Sequence, residues 1–298
     1  DKTSYIYGET ITVTGTVKAT GTAPATTLTL RSAPAAQQVA LFAADGTQLT
    51  DPVNVVEGAY TLTYNTADKG ILPAASITLT VKFVGDEDMA DAAANVSIAL
   101  TEKQLTATEA TATTRAYEPD NTTVSVTAVT ISGVIGTDDV KVDATNLTGE
   151  ISSANAGTYT TVALADLTLI GSDKAFYTIS DATVTTSVEI TPKEITNPTI
   201  VLDASSFVYD GTEKKPAVTS VKDGDDLIDA TEYTVSYANN IEMGTATVTL
   251  MDAAGGNYTV SGSTTFQITQ SGTAMTATAD KTSYIYGETI TVTGTVKA

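Results

Sequence analysis

Alternating runs of β-branched and small residues recur along the whole chain. Three of the clearest are Ile11–Val17, Val124–Thr127 and Thr245–Leu250. A period of two places every second side chain on the same face of a strand, and Val, Ile and Thr suit half-buried pleated surfaces. No stretch of roughly ten residues has helical periodicity. Turn signals separate the runs: Asp45-Gly46, Glu57-Gly58, Asp210-Gly211, Asp223-Gly224 and Gly255-Gly256-Asn257. The sequence therefore predicts an all-β protein.

Composition excludes several classes of function. The 298 residues include no Cys, His or Trp, so nucleophile–imidazole pairs and thiolate or imidazole metal ligands are impossible. The formal net charge of −20 repels phosphate backbones, so nucleic acid is not an expected partner. No apolar run approaches the roughly 20 residues of a membrane-spanning helix. We expect no enzyme activity, and no catalytic, cofactor-binding or metal-binding residues.

An identical repeat links the two ends of the sequence. Residues Asp1 to Ala19 and Asp280 to Ala298 carry the same nineteen letters, and equivalent positions lie 279 residues apart. This period is far longer than one solenoid or propeller unit. We expect one full period of several domains, followed by the opening of the next, within a longer tandem array.

A weaker repeat relates two segments inside the period. The matched positions are Tyr117 with Tyr209, Gly136–Val140 with Asp223–Leu227, Asn155–Val162 with Glu242–Val248, and Phe176–Ser180 with Asn257–Ser261. Two segments with the same order of signals predict two copies of one fold.

These observations predict three consecutive all-β domains. They cover residues 1–102, 103–191 and 192–270, and residues 271–298 form the first strands of the next repeat. The connections at Thr101–Lys103 and Thr191–Lys193 are only a few residues long. Short connectors limit the swing between domains, whereas a Gly/Ser linker behaves as a coil. We therefore expect an elongated rod.

Residues 192–270 resemble the MBG/YDG-type β-sandwich modules of bacterial surface proteins. The resemblance rests on Tyr209–Thr212, Tyr233–Tyr237, Asn239-Asn240, Gly244–Val248 and Gly256–Thr259. Residues 103–191 look like a divergent relative, through Ile131–Gly136 and Asp138-Asp139. The first segment is similar to bacterial Ig-like domains, through Asp1–Gly8 and Phe83–Asp86. The resemblance implies three consecutive Ig-like β-sandwich domains in an extracellular protein, either secreted or anchored to the cell wall.

Three groups of residues are candidates for a chemical role. The acidic clusters are Asp86-Glu87-Asp88 with Asp91, Asp138-Asp139 with Asp143, and Asp223, Asp225 and Asp226 with Asp229. Calcium favours such oxygen-rich loops, but the spacing matches no known calcium loop, so solvated turn residues are the preferred interpretation. The recurrent tyrosines Tyr117, Tyr177, Tyr209 and Tyr258 are expected to cap each sandwich, with a hydroxyl bonded to backbone. An isopeptide cross-link from Lys103 or Lys193 to an Asn or Asp stays a minor alternative.

Taken together, the sequence predicts a non-catalytic stalk in a bacterial surface protein that projects a distal domain. The partners are neighbouring repeats of the same chain. The alternative is an adhesin module that binds a host protein or glycan, which requires an exposed apolar or aromatic patch.

The duplicated end gives a further expectation. Thr273–Ala279 alternates and reads as the opening strand of the next Ig-like domain, and the first domain, which begins at Asp1, is expected to lack that strand. Residues 271–298 in turn lack the sheet that should cover them, and two strands alone are not stable. We expect head-to-tail association in which Thr273–Ala279 is donated to another chain.

Overall fold

A computed structural model describes residues 2–18, 37–85 and 89–297. Asp1, Ala19, Ala298 and the acidic run Asp86–Asp88 lie outside these ranges. Within the described ranges the chain forms 27 β-strands and three short 3-10 helices, and it forms no α-helix. The all-β prediction is confirmed.

The described strands form eight separate sheets, and none of these sheets crosses the predicted limits after residues 102, 191 and 270. We therefore group the strands into three strand sets and a tail hairpin. The first strand set contains β1 (Ser4–Ile6), β2 (Thr10–Thr16), β3 (Gln38–Phe42), β4 (Val53–Asn54), β5 (Ala59–Asn65), β6 (Ala74–Phe83) and β7 (Ala92–Thr101). The second contains β8 (Lys103–Ala112), β9 (Arg115–Ala116), β10 (Thr123–Ser132), β11 (Lys141–Val142), β12 (Thr148–Glu150), β13 (Gly157–Leu164), β14 (Leu169–Ile170), β15 (Tyr177–Ile179) and β16 (Ala182–Thr191).

The third strand set contains β17 (Lys193–Ile195), β18 (Thr199–Leu202), β19 (Ser206–Val208), β20 (Val218–Asp223), β21 (Asp226–Ile228), β22 (Tyr233–Ala238), β23 (Gly244–Asp252), β24 (Tyr258–Val260) and β25 (Gly262–Thr269). The tail hairpin contains β26 (Ala274–Ala279) and β27 (Val292–Lys297). The 3-10 helices are Thr66–Asp68, Lys174–Phe176 and Ala230–Glu232.

The chain forms two compact units. The first comprises Asp1–Thr113, Thr122–Ser152 and Tyr159–Val188, and the second comprises Thr114–Asn121, Ser153–Thr158 and Glu189–Ala298. In the first unit, the sheet β1-β7-β6-β3-β4 packs against the pair β2-β5. The buried faces meet in one apolar core whose fully buried members include Ile11, Leu41, Leu62, Leu79 and Leu100.

The first unit also contains most of the second strand set. Its main sheet has the order β15-β8-β10-β12-β13-β16, and β11 pairs separately with β14. A small apolar cluster lies at the end nearest the first strand set. It consists of Tyr7, Leu105, Val140, Phe176 and Tyr177.

The second unit contains the third strand set and the tail hairpin. Its sheets are β17-β24, β18-β20-β21 and β19-β25-β23-β22, and β9 pairs with the last residues of β16. One core forms around Ile195, Val221 and Leu250, and another around Val248 and Phe266.

The alternating runs have the predicted alternation of burial. In β2, Ile11 and Val13 point inward while Thr10, Thr12 and Thr14 are exposed. The runs in β10 and β23 alternate in the same way over the predicted residues. The predicted turn at Glu57-Gly58 has φ values of 52° and 78°. Positive φ at both central residues is what a type I′ hairpin turn requires.

The weak internal repeat corresponds to matching structural positions. β13 and β23 both begin on the predicted glycines, Gly157 and Gly244. Tyr177 pairs with Lys103 and Tyr258 pairs with Lys193, in two parallel pairings of the same register. One predicted match is wrong. Gly136–Val140 forms a loop between β10 and β11, whereas Asp223–Leu227 forms the tight β20–β21 hairpin.

All of the described strand pairings lie inside the predicted segments 1–102, 103–191, 192–270 and 271–298. The division into domains at these positions remains a prediction, because the compact units are divided differently. In the tail, β26 and β27 pair with each other in antiparallel fashion, and all twelve of their residues are exposed.

Candidate functional site

Tyr7 lies where the chain leaves β1, at the end of the first strand set. Its backbone N–H donates to the carbonyl oxygen of Thr101, the last residue of β7, at 2.9 Å. Only 1% of Tyr7 is exposed. A tyrosine in a turn at the end of a sandwich is normally half exposed, so other residues must cover this one.

Two aromatic residues of the second strand set cover Tyr7. The ring of Phe176 stacks on it at a centroid distance of 4.6 Å, and the ring of Tyr177 meets it edge-on at 5.3 Å. Both ring contacts follow from the short connection between the strand sets, because a single residue lies between the end of β7 and the start of β8. β15, which opens with Tyr177, pairs with the first residues of β8 and is thereby held beside Tyr7.

A carboxylate joins the two tyrosines. Oδ2 of Asp138 accepts hydrogen bonds from the Tyr7 hydroxyl at 2.7 Å and from the Tyr177 hydroxyl at 2.6 Å. The Tyr177 hydroxyl also accepts from the backbone N–H of Ile135 at 2.9 Å. Hydrogen bonds to an ionised acceptor are stronger than neutral ones. The hydroxyls therefore fix both rings.

Lys69 of the first strand set completes the group. Its ammonium lies 2.8 Å from Oδ1 of Asp138 and 2.7 Å from Oδ1 of Asp173. The side chain of Asp138 is only 8% exposed, whereas that of Lys69 is 32% exposed, so the carboxylate is the shielded partner of the ion pair. We call the group Tyr7, Lys69, Asp138, Asp173, Phe176 and Tyr177 the first junction.

The pKa values at the first junction follow from these contacts. Burial raises the pKa of Asp138, but Lys69 and the two tyrosine hydroxyls outweigh it and hold that pKa below its ordinary value. Burial, and then the bond to Asp138, raises the pKa of Tyr177 to about 12 and raises that of Tyr7 further. Asp138 thus stays ionised, with both oxygens occupied by donors. Three donors on one carboxylate suit a structural tie.

A second junction joins the second and third strand sets. The backbone N–H of Tyr117 donates to Thr191 at 2.7 Å, and the ring of Tyr117 meets that of Tyr258 edge-on at 5.2 Å. Only Pro192 separates β16 from β17. The second junction therefore repeats the short connection and the tyrosine pair of the first.

Amide groups take the place of the carboxylate at the second junction. Oδ1 of Asn257 accepts from the backbone N–H of Ala156 at 2.8 Å. Glu232 fixes Asn257 in turn, because its carboxylate accepts from the backbone N–H of Asn257 at 2.6 Å and from the side-chain amide at 3.2 Å.

Tyr209 occupies the equivalent position in the third strand set. Its backbone N–H donates to Thr269, the last residue of β25, at 2.9 Å. Tyr209 packs against the core around Phe266. The position directly after an early strand is thus the same for Tyr7, Tyr117 and Tyr209.

The described members of the predicted acidic clusters do not converge on a cation site. Asp143 accepts from Thr145 within a local turn, and Asp91 accepts from Gly85, six positions away. Asp139 accepts from Ser172, 33 positions away in the chain. Asp229 caps the 3-10 helix Ala230–Glu232. Within the described ranges no three acidic side chains are grouped closely enough to hold a metal ion.

Lys193, one of the two cross-link candidates, forms an ion pair with Asp223 at 3.0 Å, with over a third of each side chain exposed. The contact raises the pKa of Lys193, which favours the protonated amine. Lys103, the other candidate, opens β8.

The predicted positions of the tyrosines are correct, but the predicted hydrogen-bond partners are incomplete. Tyr117 and Tyr209 follow early strands, and Tyr177 and Tyr258 open late strands, as predicted. The Tyr177 hydroxyl, however, bonds to a carboxylate as well as to backbone. The sequence analysis missed Tyr7 and Lys69. Tyr7 could have been found, because Tyr7 and Tyr117 both follow a short strand and closely precede a glutamate.

A family model described as YDG domain matches residues 101–186. This range corresponds to the second strand set, so the predicted resemblance of that segment is confirmed. No curated protein matches the chain. No helix in the described part of the chain has the length and hydropathy of a membrane span.

Several solved extracellular structures are distantly similar. Drosophila N-cadherin EC1-4 is 10% identical with a TM-score of 0.28, covering 79% of this chain and 67% of that one. Drosophila OTK extracellular domains 3-5 are 14% identical with a TM-score of 0.28, covering 91% and 94%. A bacterial ice-binding adhesin, from a study of host cell surface retention, is 16% identical with a TM-score of 0.22, covering 88% and 91%. Structural similarity at this level supports no assignment of function.

Proposed function

We propose that this chain is a non-catalytic structural repeat of a bacterial surface protein, a stalk that projects a distal domain away from the cell. The supporting observation is the construction of the two junctions. Each has a single-residue connection, a tyrosine ring pair and a polar tie between consecutive strand sets. Connections this short restrict hinge motion, which a spacer needs if it is to hold its reach.

The match of residues 101–186 to the YDG domain supports the same role. The three donors that bind Asp138 also support a structural role for this carboxylate.

Small-angle scattering tests the proposal. We expect the radius of gyration to exceed clearly the value of about 19 Å for a compact chain of this length. We also expect Asp138→Ala to broaden the distance distribution, because it removes the carboxylate that holds both tyrosine hydroxyls and one of the two ion pairs of Lys69. Asp45→Ala, in the turn after β3 where Asp45 accepts from the backbone N–H of Thr47, is the control. A compact radius, or the same broadening in the control, contradicts the stalk.

A further inference from the structure

The tail hairpin shows which strand pairs with a segment identical in sequence to the end of β2 and the two residues after it. Val292–Lys297 in β27 is the identical counterpart of Val13–Lys18, because residues 280–298 repeat residues 1–19. In the tail this segment pairs with Ala274–Ala279 over six positions. In the first unit, β2 pairs with β5, and within the described part of the chain it has no second neighbour.

The hydrogen bonds identify which edge is used. In an antiparallel ladder the N–H and C=O of one residue point to the same edge, and those of the next residue to the other. Glu9 accepts from Thr66 and Val17 donates to Gly58, so odd-numbered residues of this strand face β5. In the tail, Thr291 accepts from Asp280 at 2.9 Å, and Thr291 corresponds to Thr12. β26 therefore pairs with the edge of β27 that corresponds to the outer edge of β2, the edge that faces away from β5.

The side-chain pattern of β26 fits this edge. Transferring the register places Met275 opposite Val17, Ala277 opposite Gly15 and Ala279 opposite Val13. Opposite residues of an antiparallel pair point to the same face, and Val13 and Val17 pack on the first core. In the transferred position the small and apolar residues of β26 would face the first core.

The other face of the segment is polar. Thr276 and Thr278 fall opposite Thr16 and Thr14, which are exposed in β2. In addition, a cavity of about 380 Å³ opens beside Val17, and its lining includes Val39, Tyr60 and Phe83. Met275, which is 75% exposed in the tail, would lie at this cavity.

We propose that the outer edge of β2 is a binding site for Ala274–Ala279 of a second copy of this chain. In its own tail the segment forms a two-stranded hairpin in which every residue is exposed, and such a hairpin is marginally stable at best. At β2 the same ladder forms on a strand that is already backed by a packed core. The contact is heterologous, so it joins copies head to tail into open chains.

Disulfide trapping between two single variants tests the register directly, because the chain has no cysteine of its own. The hydroxyls of Thr276 and Thr295 lie 2.8 Å apart, and Thr295 corresponds to Thr16. We expect a mixture of Thr16→Cys and Thr276→Cys chains to form a heterodimer of twice the 30.6-kDa mass. We expect this at least tenfold faster than a mixture of Thr12→Cys and Thr276→Cys. Thr12 is exposed on the same strand face, about 13 Å away.

Proline variants test the ladder without cysteine. In β26 the even-numbered residues bond to the partner strand, as the neighbouring Asp280 does. The N–H of Thr276 therefore points toward the acceptor strand, and the N–H of Ala277 points away from it. Sedimentation of the unmodified chain should show an average mass that rises with concentration. Thr276→Pro should abolish the rise, whereas Ala277→Pro should retain it, since edge strands tolerate proline whose nitrogen faces solvent. Equal trapping of the two cysteine mixtures, or equal association of the two proline variants, overturns the proposal.

Discussion

Tyr7 and Tyr286 provide a matched pair for testing the first junction. Both lie in the same nineteen-residue sequence, yet Tyr7 is 1% exposed and Tyr286 is fully exposed. Replacing a fully buried aromatic residue by alanine costs about 3–5 kcal/mol. We expect Tyr7→Ala to destabilise the first unit by about 4 kcal/mol and Tyr286→Ala to change its stability by less than about 0.5 kcal/mol.

Amide hydrogen exchange localises the effect. The backbone N–H of Ile135 donates to the Tyr177 hydroxyl, so its protection reports on the junction itself. A loss of about 4 kcal/mol corresponds to roughly thousandfold faster exchange of this amide when exchange follows the opening equilibrium. Tyr286→Ala should leave the rate within about threefold of the unmodified chain.

A hydroxyl-deletion variant separates the ring from its polar tie. Tyr7→Phe keeps the stacking on Phe176 but removes a hydrogen bond to the ionised Asp138, worth about 1.5–3 kcal/mol. We expect its effect on Ile135 exchange to fall between those of Tyr7→Ala and Tyr286→Ala. If Tyr7→Ala and Tyr286→Ala give the same exchange rate at Ile135, Tyr7 does not stabilise the junction and the reasoning fails.

Three other predictions concern the junctions. The pKa of Asp138 is lower in the folded protein than its ordinary value of 3.8. Ionised Asp138 therefore stabilises the fold at any pH above 3.8, and this stabilisation is lost as the pH falls through the pKa of the folded state. Urea midpoints measured from pH 7 down to pH 2 should therefore drop more steeply for the unmodified chain than for Asp138→Asn. Gly8→Ala should destabilise the first unit by about 1–2 kcal/mol, because Gly8 has a φ of +95° and the new methyl group meets Ile135. Gly287→Ala is the control, since Gly287 has a φ of +93° and open space around it. In thermal melts it should leave the stability of the first unit unchanged. Asn257→Ala should cost about 1–3 kcal/mol and speed exchange of the Ala156 amide, while Asn197→Ala, at an exposed site, should not.

Local sequence determines the turns, and this is why they were predictable. In both copies of the duplicated segment a Tyr-Gly turn forms, with Glu9 accepting from Ile6 and Glu288 accepting from Ile285. A lysine also contacts each glutamate. The strands were predictable for the same reason, since alternation is a property of neighbouring residues.

Burial at the junction was not predictable, because it depends on residues far apart in the chain. Tyr7 and Tyr286 have the same neighbours in sequence, but only Tyr7 is covered by Phe176. Asp138 likewise reads as a solvated turn residue until Tyr7, 131 positions away, donates to it. The strand limits shift as well, because residues equivalent to β1 form no strand in the tail, where nothing corresponding to β7 pairs with them in the described structure.

The early and late strands of each strand set run parallel, and this has a mechanical consequence. β1 pairs with β7, β9 with the end of β16, and β19 with β25, all in parallel register. When tension pulls the two ends of a strand set apart, parallel partners slide along each other, so the hydrogen bonds between them carry the load together in shear. An antiparallel hairpin such as β26–β27, pulled at its open end, loses its bonds one at a time. Resistance to pulling is set by the unfolding barrier rather than by equilibrium stability. This strand order places the cooperative rupture step between an early strand and the last strand of each set.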